Sequence, residues 1–144
     1  MGMDVLGRHP VSEVGEYFRA NVWLWHPLWA YVEDCYPHIA EKVPLAHSND
    51  GDGLRSKKSS QELGRALLAD VKSGKAAQYI EHRTQFIAAL PDEACPSCDG
   101  KDAQCDMCAG QGKVPPLASW YDLDTESIQG FAEFLMACGG FKIY

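Results

Sequence analysis

The amino-acid sequence predicts a mainly α-helical protein with a small β contribution, arranged as a single domain over residues 1–144. Two stretches show the apolar spacing of amphipathic helices and follow residues that favour helix starts. A third, at 94–114, carries two Cys-x-x-Cys pairs and predicts a four-cysteine zinc-binding loop inserted into the helical domain. The final residues, 141–144, alternate in polarity and predict a short terminal strand.

The N-terminal part, residues 1–58, is rich in aromatic side chains and is predicted to be helical. Its start, 1–10, has no clear pattern and is expected to be an irregular lead-in, after which Ser12 is expected to cap a short helical turn. The aromatic stretch at 17–29 is expected to be mostly core and to lead into a helix with Pro27 in its first turn. One or two of its rings are expected at the surface, where aromatic side chains can anchor a partner.

Residues 59–91 predict a helical hairpin. The segment Ser59-Ser60-Gln61-Glu62 has the pattern of a capping box, so the first helix is expected to open there and to end at Gly74. A second helix is expected over about 76–90, with Phe86 among its buried residues. Because the break between the helices is short, we expect them to pack antiparallel to each other.

Residues 115–144 predict a C-terminal helix followed by a strand. Asp124 is expected to cap the start of this helix, and Gly139-Gly140 is expected to end it. The terminal strand has two candidate partners, Lys113-Val114 and the region near Val5-Leu6, and the sequence does not choose between them.

The most specific motif is the pair of Cys-x-x-Cys sequences. Each pair turns its backbone so that both sulfurs face one point, and two pairs supply the four thiolates of a tetrahedral zinc site. We therefore expect one structural zinc ion, with the ligands Cys95, Cys98, Cys105 and Cys108. Four sulfur ligands leave no position open for water, which argues against a zinc hydrolase. Two disulfides or a redox-active Cys-x-x-Cys are the alternatives, although no secretion signal or βαβ pattern supports them.

The cysteine segment resembles the cysteine-rich zinc module of DnaJ-type co-chaperones, whose repeat is Cys-x-x-Cys-x-Gly-x-Gly. Residues 105–112 match this repeat in full, whereas Asp102 replaces the second glycine in the first half. The resemblance covers only 95–114, and the chain has no J-domain His-Pro-Asp motif. It implies zinc and protein contact, but not co-chaperone activity. The whole chain also looks similar to small uncharacterised proteins of bacteria and their phages, a likeness that implies no function.

Charge and hydropathy limit the possible partners. The formal net charge of −7 argues against general nucleic-acid binding, although residues 55–83 carry 7 basic and 3 acidic side chains. No apolar stretch approaches the ~18 residues of a membrane span, and the N-terminus does not have the pattern of a secretory signal. We therefore expect a cytoplasmic location and no membrane partner.

These features predict a small zinc-stabilised protein-binding module without enzymatic activity. The alternatives are a phage-type inhibitor of a host defence or nucleic-acid system, a nucleic-acid-binding module, and an enzyme of unknown class. No catalytic or organic-cofactor motif is present, the five histidines lack metal-ligand spacing, and Cys35 and Cys138 are expected to be buried.

We expect a protein partner at the aromatic stretch or the zinc loop, with substitutions of Lys101 or Met107 weakening its binding. A nucleic acid would instead use Arg55, Lys57, Lys58, Arg65, Lys72 and Lys75.

Overall fold

The computed structural model describes residues 2–144, which form two compact units. The first unit comprises the chain up to Ile80 together with Asp122–Tyr144, and the second comprises Glu81–Tyr121. The predicted fold class, mainly α with a small β contribution, is confirmed. Between residues 2 and 144, every helix is too short or too polar to cross a bilayer.

The elements follow one another along the described chain with two short 3-10 turns among them, at Glu13–Gly15 and Leu117–Trp120. Their order is β1 (Gly2–Gly7), β2 (Tyr17–Asn21), α1 (Val22–Cys35), α2 (Pro37–Ala40), α3 (Lys57–Ser73), α4 (Lys75–Ala88), β3 (Glu93–Ala94), β4 (Lys113–Val114), α5 (Thr125–Ala137) and β5 (Phe141–Ile143).

An antiparallel sheet with the strand order β2–β1–β5 joins the two sequence-distant parts of the first unit. Val5 lies opposite Phe18 of β2 on one side and Ile143 of β5 on the other. The terminal strand therefore pairs near Val5, the second of its two candidate partners, while β4 pairs with β3. The expected irregular lead-in is wrong for β1, because Met3 and Val5 alternate with exposed residues and enter the core. Met1 lies outside the described residues.

The aromatic stretch is divided between a strand and a helix. Residues Tyr17–Asn21 are extended in β2, so the expectation of a helical N-terminal part is wrong there. The helix begins only after Asn21, whose side chain accepts a hydrogen bond of 2.9 Å from Leu24 N. Trp25 and Trp29 are completely buried and stack with ring centroids 5.7 Å apart. Tyr17 and Trp23 are exposed, so the expectation that most rings pack inward and one or two reach the surface is confirmed.

Two of the predicted caps have different outcomes. Asp124 caps α5 as expected, accepting a hydrogen bond of 2.6 Å from Ser127 N. The side chain of Ser12 makes no capping hydrogen bond to the 3-10 turn that follows it. The backbone carbonyl of Ser12 closes this turn instead, by accepting from Gly15 N at 3.0 Å.

Helix α3 begins earlier than expected and packs on α5. Its cap is Ser56, whose hydroxyl accepts from Ser59 N at 3.1 Å, so the predicted capping box lies inside the helix. Gly64 allows the close approach, because a Cβ there would lie 3.0 Å from Ala132 O and 3.2 Å from Leu135 Cβ of α5. The expected antiparallel pairing of α3 with the next helix is not observed, since α5 is its main helical partner.

Helix α4 differs most from its predicted burial. Ala76 is its fully buried residue, and Phe86, expected in the core, is 68% exposed. Residues 81–88 of this helix belong to the second unit. The buried apolar cluster of that unit is formed by cysteines and Val114 rather than by this helix, which explains the exposure.

A buried carboxylate connects α1 with α3. Asp70 Oδ2 accepts hydrogen bonds from the hydroxyls of Tyr31, at 2.7 Å, and Tyr36, at 2.6 Å. Lys75 Nζ lies 3.8 Å from the other carboxylate oxygen and 5.0 Å from the centre of the Tyr36 ring. The polar atoms in this part of the core are therefore satisfied by one another, as buried polar groups require.

This network predicts that the first unit loses stability in alkali. Burial, reinforced by the hydrogen bonds to Asp70, raises the pKa of Tyr31 and Tyr36 well above their ordinary value of 10.0. Because these folded-state values are raised, the stability that the two phenols contribute is complete below about pH 10 and is lost as the pH rises further. Urea unfolding of the protein at several pH values checks this. A matched Tyr36→Phe variant should show a shallower loss, and an unfolding free energy that stays constant to about pH 11 would contradict the prediction.

Candidate metal centre

The four cysteines lie on a loop whose base is a two-stranded ladder. Strands β3 and β4 pair antiparallel, with Glu93 opposite Val114 and Ala94 opposite Lys113. Residues 95–112 between them form what we call the cysteine loop. Cys95 N donates to Gly112 O at 3.0 Å, so a backbone hydrogen bond closes the loop directly above the ladder. Both Cys-x-x-Cys pairs are therefore held on one short, closed segment.

The four sulfur atoms converge on one point. Their Sγ atoms all lie within 4.8 Å of one another, and the sulfurs of Cys95 and Cys105, like those of Cys98 and Cys108, are 3.8 Å apart. With metal–sulfur bonds of about 2.3 Å, tetrahedral geometry requires sulfur separations of about 3.8 Å. A disulfide needs a separation of about 2.05 Å, and all four cysteines are free thiols. The sulfurs form a site that can hold a metal ion.

The two halves of the cysteine loop repeat the same backbone conformation. Asp99 and Gly100, after the first pair, have φ values of 51° and 75°, while Ala109 and Gly110, after the second, have 51° and 77°. This left-handed turn bends the chain back over each pair of sulfurs. At Gly110 a side chain is excluded as well, because a Cβ would lie 2.3 Å from Ala103 O. The sequence repeat therefore encodes two equivalent halves of one site.

Asp102 marks the one departure from this repeat. The corresponding residue of the second half, Gly112, has a φ of 74°, whereas Asp102 is not among the residues with positive φ. Its carboxylate accepts a hydrogen bond of 2.9 Å from Gln104 N, which forms a turn leading into the second half. The missing glycine is therefore accommodated without strain, because the first half turns differently at this point.

The surrounding backbone favours thiolates in the loop. Gly112 N donates to the sulfur of Cys108 at 3.3 Å. The N–H groups of Cys108 and Met107 lower the pKa of the Cys105 thiol to about 7, whereas burial raises the pKa of Cys95 to about 11. Backbone donors that stabilise thiolates in this way are the usual support of a metal–sulfur site.

The remaining cysteines do not have the properties of nucleophiles. Cys138 is buried and Cys35 partly buried, as expected, and burial raises the pKa of both thiols above 9.0. Reactive cysteines generally have lowered pKa values. Cys138 Sγ lies 3.6 Å from Leu135 O, in a contact typical of a structural thiol.

The basic residues of the predicted nucleic-acid surface all lie on the outside of the first unit. Lys75 differs from the others because its amino group faces the buried Asp70 carboxylate. The exposed side chains are Arg55, Lys57, Lys58, Arg65, Lys72 and Lys75.

An apolar groove lies beside the cysteine loop, within the second unit. It has a volume of about 230 Å³ and is lined by Glu93, Ala94, Pro96, Met107, Val114, Pro115, Leu117 and Trp120. Met107 and Leu117 are each 50% exposed, and Trp120 is 42% exposed. Met107 belongs to the second Cys-x-x-Cys pair, so the metal site and the groove share a wall. Of the residues that line the groove, the sequence predicted only Met107 as a partner contact. The others are brought together by the β3–β4 pairing, which the sequence did not predict.

No protein-family model, curated protein or solved structure matches the chain. The likeness of residues 95–114 to the DnaJ-type module therefore stays a prediction from the motif.

Proposed function

We propose that this chain is a zinc-stabilised protein-binding module rather than an enzyme, with one zinc ion held by the cysteine loop. Four cysteine sulfurs in tetrahedral geometry are the ligand set that structural zinc prefers. Such a site is closed, since the metal has no free position for water or substrate. The ion would fix the loop in shape, and the chemistry of the protein would consist of binding.

The apolar groove is the observation that carries this proposal. Exposed apolar side chains that cluster in one place often mark a protein-binding site, and Met107, Leu117 and Trp120 are exposed together along one groove. Methionine and tryptophan are also enriched where proteins bind one another. Because Met107 lies between two metal ligands, zinc would hold one wall of the groove in its binding shape.

The charge of the second unit indicates the chemistry of the partner. Residues Glu81–Tyr121 carry six carboxylates and three basic side chains, and four thiolates outweigh the charge of a zinc ion. Glu93 itself lines the groove, where its carboxylate also accepts a hydrogen bond of 3.1 Å from Leu117 N. Opposite charges across an interface favour specific binding. The proposed partner is an extended protein segment that combines apolar side chains with lysine or arginine.

Selection from a displayed library of random peptides on the zinc-loaded protein tests the proposal. We expect enrichment of peptides that combine basic and apolar residues, and we expect Met107→Glu to abolish their binding without changing zinc content or thermal stability. Val11→Glu provides the matched control, since Val11 is 71% exposed and belongs to the first unit. Lys101 does not line the groove, so Lys101→Ala should have a smaller effect than Met107→Glu.

Two outcomes would contradict the proposal. Peptides that bind Met107→Glu as well as the original protein would place recognition elsewhere. If the protein instead binds a nucleic acid, and if that binding falls steeply with salt and is lost on replacing Lys57 and Lys58 rather than Met107, the result would favour a nucleic-acid-binding module.

A further inference from the structure

Two histidines and a glutamate that are distant in the sequence meet at the surface of the first unit. His26 and Glu33 lie two turns apart on α1, and His47 from the following loop lies between them. The two Nδ1 atoms of His26 and His47 are 2.7 Å apart, with ring centroids separated by 4.8 Å. On the other side of the same ring, His47 Nε2 lies 3.0 Å from Glu33 Oε1.

The hydrogen-bond roles in this cluster can be assigned from its geometry. Nε2 of His47 must carry a proton to donate to the Glu33 carboxylate, which in the neutral ring leaves a lone pair on its Nδ1. Nδ1 of His26 then supplies the proton that lies between the two rings. If His26 carries its proton on Nε2 instead, two nitrogen lone pairs face the same point without any change in net charge.

We propose that His26 and His47 bind a divalent transition-metal ion through their Nδ1 atoms, at a second site independent of the cysteine loop. Imidazole nitrogens are good ligands for zinc, copper and nickel. With metal–nitrogen bonds of about 2.0–2.1 Å, two nitrogens on a tetrahedral ion lie about 3.3 Å apart, so the rings must separate by about half an ångström. His47 is exposed and His26 is partly exposed, and their side chains can make this adjustment.

Glu33 has the position of the carboxylate that commonly supports a metal-binding histidine. Such a histidine donates its second N–H to a carboxylate, which fixes the tautomer and the ring orientation and raises the basicity of the ligating nitrogen. Glu33 makes this contact with His47. Because His47 is exposed, solvent water can complete the coordination of an ion at its Nδ1.

The backbone next to His47 is already fixed in place. The buried indole of Trp25 donates from Nε1 to Ala46 O at 2.7 Å, so α1 holds the residue that precedes His47. Trp25 also immediately precedes His26 in the sequence. One buried tryptophan therefore fixes the backbone beside both ligands, so that metal binding has to order only their side chains.

Titration of the zinc-loaded protein with Ni²⁺ tests this site while the cysteine loop is occupied. We expect binding of one Ni²⁺ by calorimetry, together with paramagnetic broadening of the His26 and His47 ring resonances. His47→Ala and His26→Ala should each weaken Ni²⁺ binding by at least tenfold, because either change removes one of the two ligands. Glu33→Gln should weaken binding by roughly tenfold, as the loss of a supporting carboxylate commonly does.

His38→Ala is the matched control, because His38 Nε2 lies 3.3 Å from Glu62 Oε1 in another exposed histidine–glutamate pair on the same unit. It should leave Ni²⁺ binding unchanged. The proposal is overturned if His47→Ala binds Ni²⁺ as tightly as the original protein, if no binding occurs below about millimolar Ni²⁺, or if Ni²⁺ releases zinc stoichiometrically from the cysteine loop.

Discussion

Replacing Cys105 with serine is expected to release the metal ion, which we propose to be zinc, and to unfold the cysteine loop while the first unit stays folded. The buried apolar cluster of the second unit consists of Cys95, Cys105, Cys108 and Val114, with Cys98 packed against it. Without metal, only this small cluster, the β3–β4 ladder and the backbone hydrogen bonds of the loop hold these side chains together. Structural zinc contributes roughly 10–16 kcal/mol of binding free energy in small modules, and part of it is folding energy. Elemental analysis measures the loss of metal, and amide hydrogen exchange over residues 93–114 measures the unfolding of the loop.

Cys35→Ser is the matched control for this experiment, because it makes the same substitution at a partly buried cysteine outside the loop. It should retain a full equivalent of zinc and normal exchange in the cysteine loop. A Cys105→Ser protein that still binds one zinc, or a purified original protein with disulfides in place of metal, would contradict the zinc assignment.

Replacing Asp70 with alanine is expected to lower the free energy of unfolding of the first unit by several kcal/mol. The substitution leaves two tyrosine hydroxyls, of Tyr31 and Tyr36, without their acceptor, and Tyr31 is completely buried. A buried polar group that loses its partner costs about 1–3 kcal/mol; Tyr31 bears this cost in full and the partly buried Tyr36 only in part, so the expected destabilisation is about 2–4 kcal/mol. Urea unfolding of the zinc-loaded protein, followed by tryptophan fluorescence, measures this change because Trp25 and Trp29 lie in the same core.

Removing both sides of the network separates hydrogen bonding from packing. A triple variant with Asp70→Leu, Tyr31→Phe and Tyr36→Phe leaves no tyrosine hydroxyl without an acceptor, and the exposed Lys75 can turn to solvent, so the variant should recover much of the loss caused by Asp70→Ala. If Asp70→Ala costs less than about 1 kcal/mol, or if the triple variant is less stable than the single one, then the carboxylate does not have the role assigned to it.

Features that depend on neighbouring residues were predictable from the sequence. The cysteine ligands follow from the spacing of two short motifs, and the structure brings the four sulfurs together. The cap at Asp124 and the end of α3 at Gly74 likewise depend on one turn of backbone. In each case the deciding contacts lie within a few positions of the residue concerned.

Features that depend on distant pairing were missed. Strand β1 carries only two buried side chains, Met3 and Val5, and its partners come from β2 and β5. Such a short alternation of apolar and polar residues does not predict a strand unless the partner strands are known. His26 and His47 are separated by 21 positions and match no ligand spacing, so only the fold shows that they meet. Phe86 was wrongly predicted to be buried, because an apolar stripe on a helix does not reveal whether another element covers it.

The pairing of β1 with β5 has a consequence for the order in which the protein matures. During synthesis β1 emerges before the other strands, but it cannot complete its sheet until β5 has left the ribosome, so the first unit remains unfinished until all the elements between them have been made. The cysteine loop is complete earlier, before α5 and β5 have been made, and its contacts are local. Metal loading of the nascent chain can therefore precede the closure of the hydrophobic core.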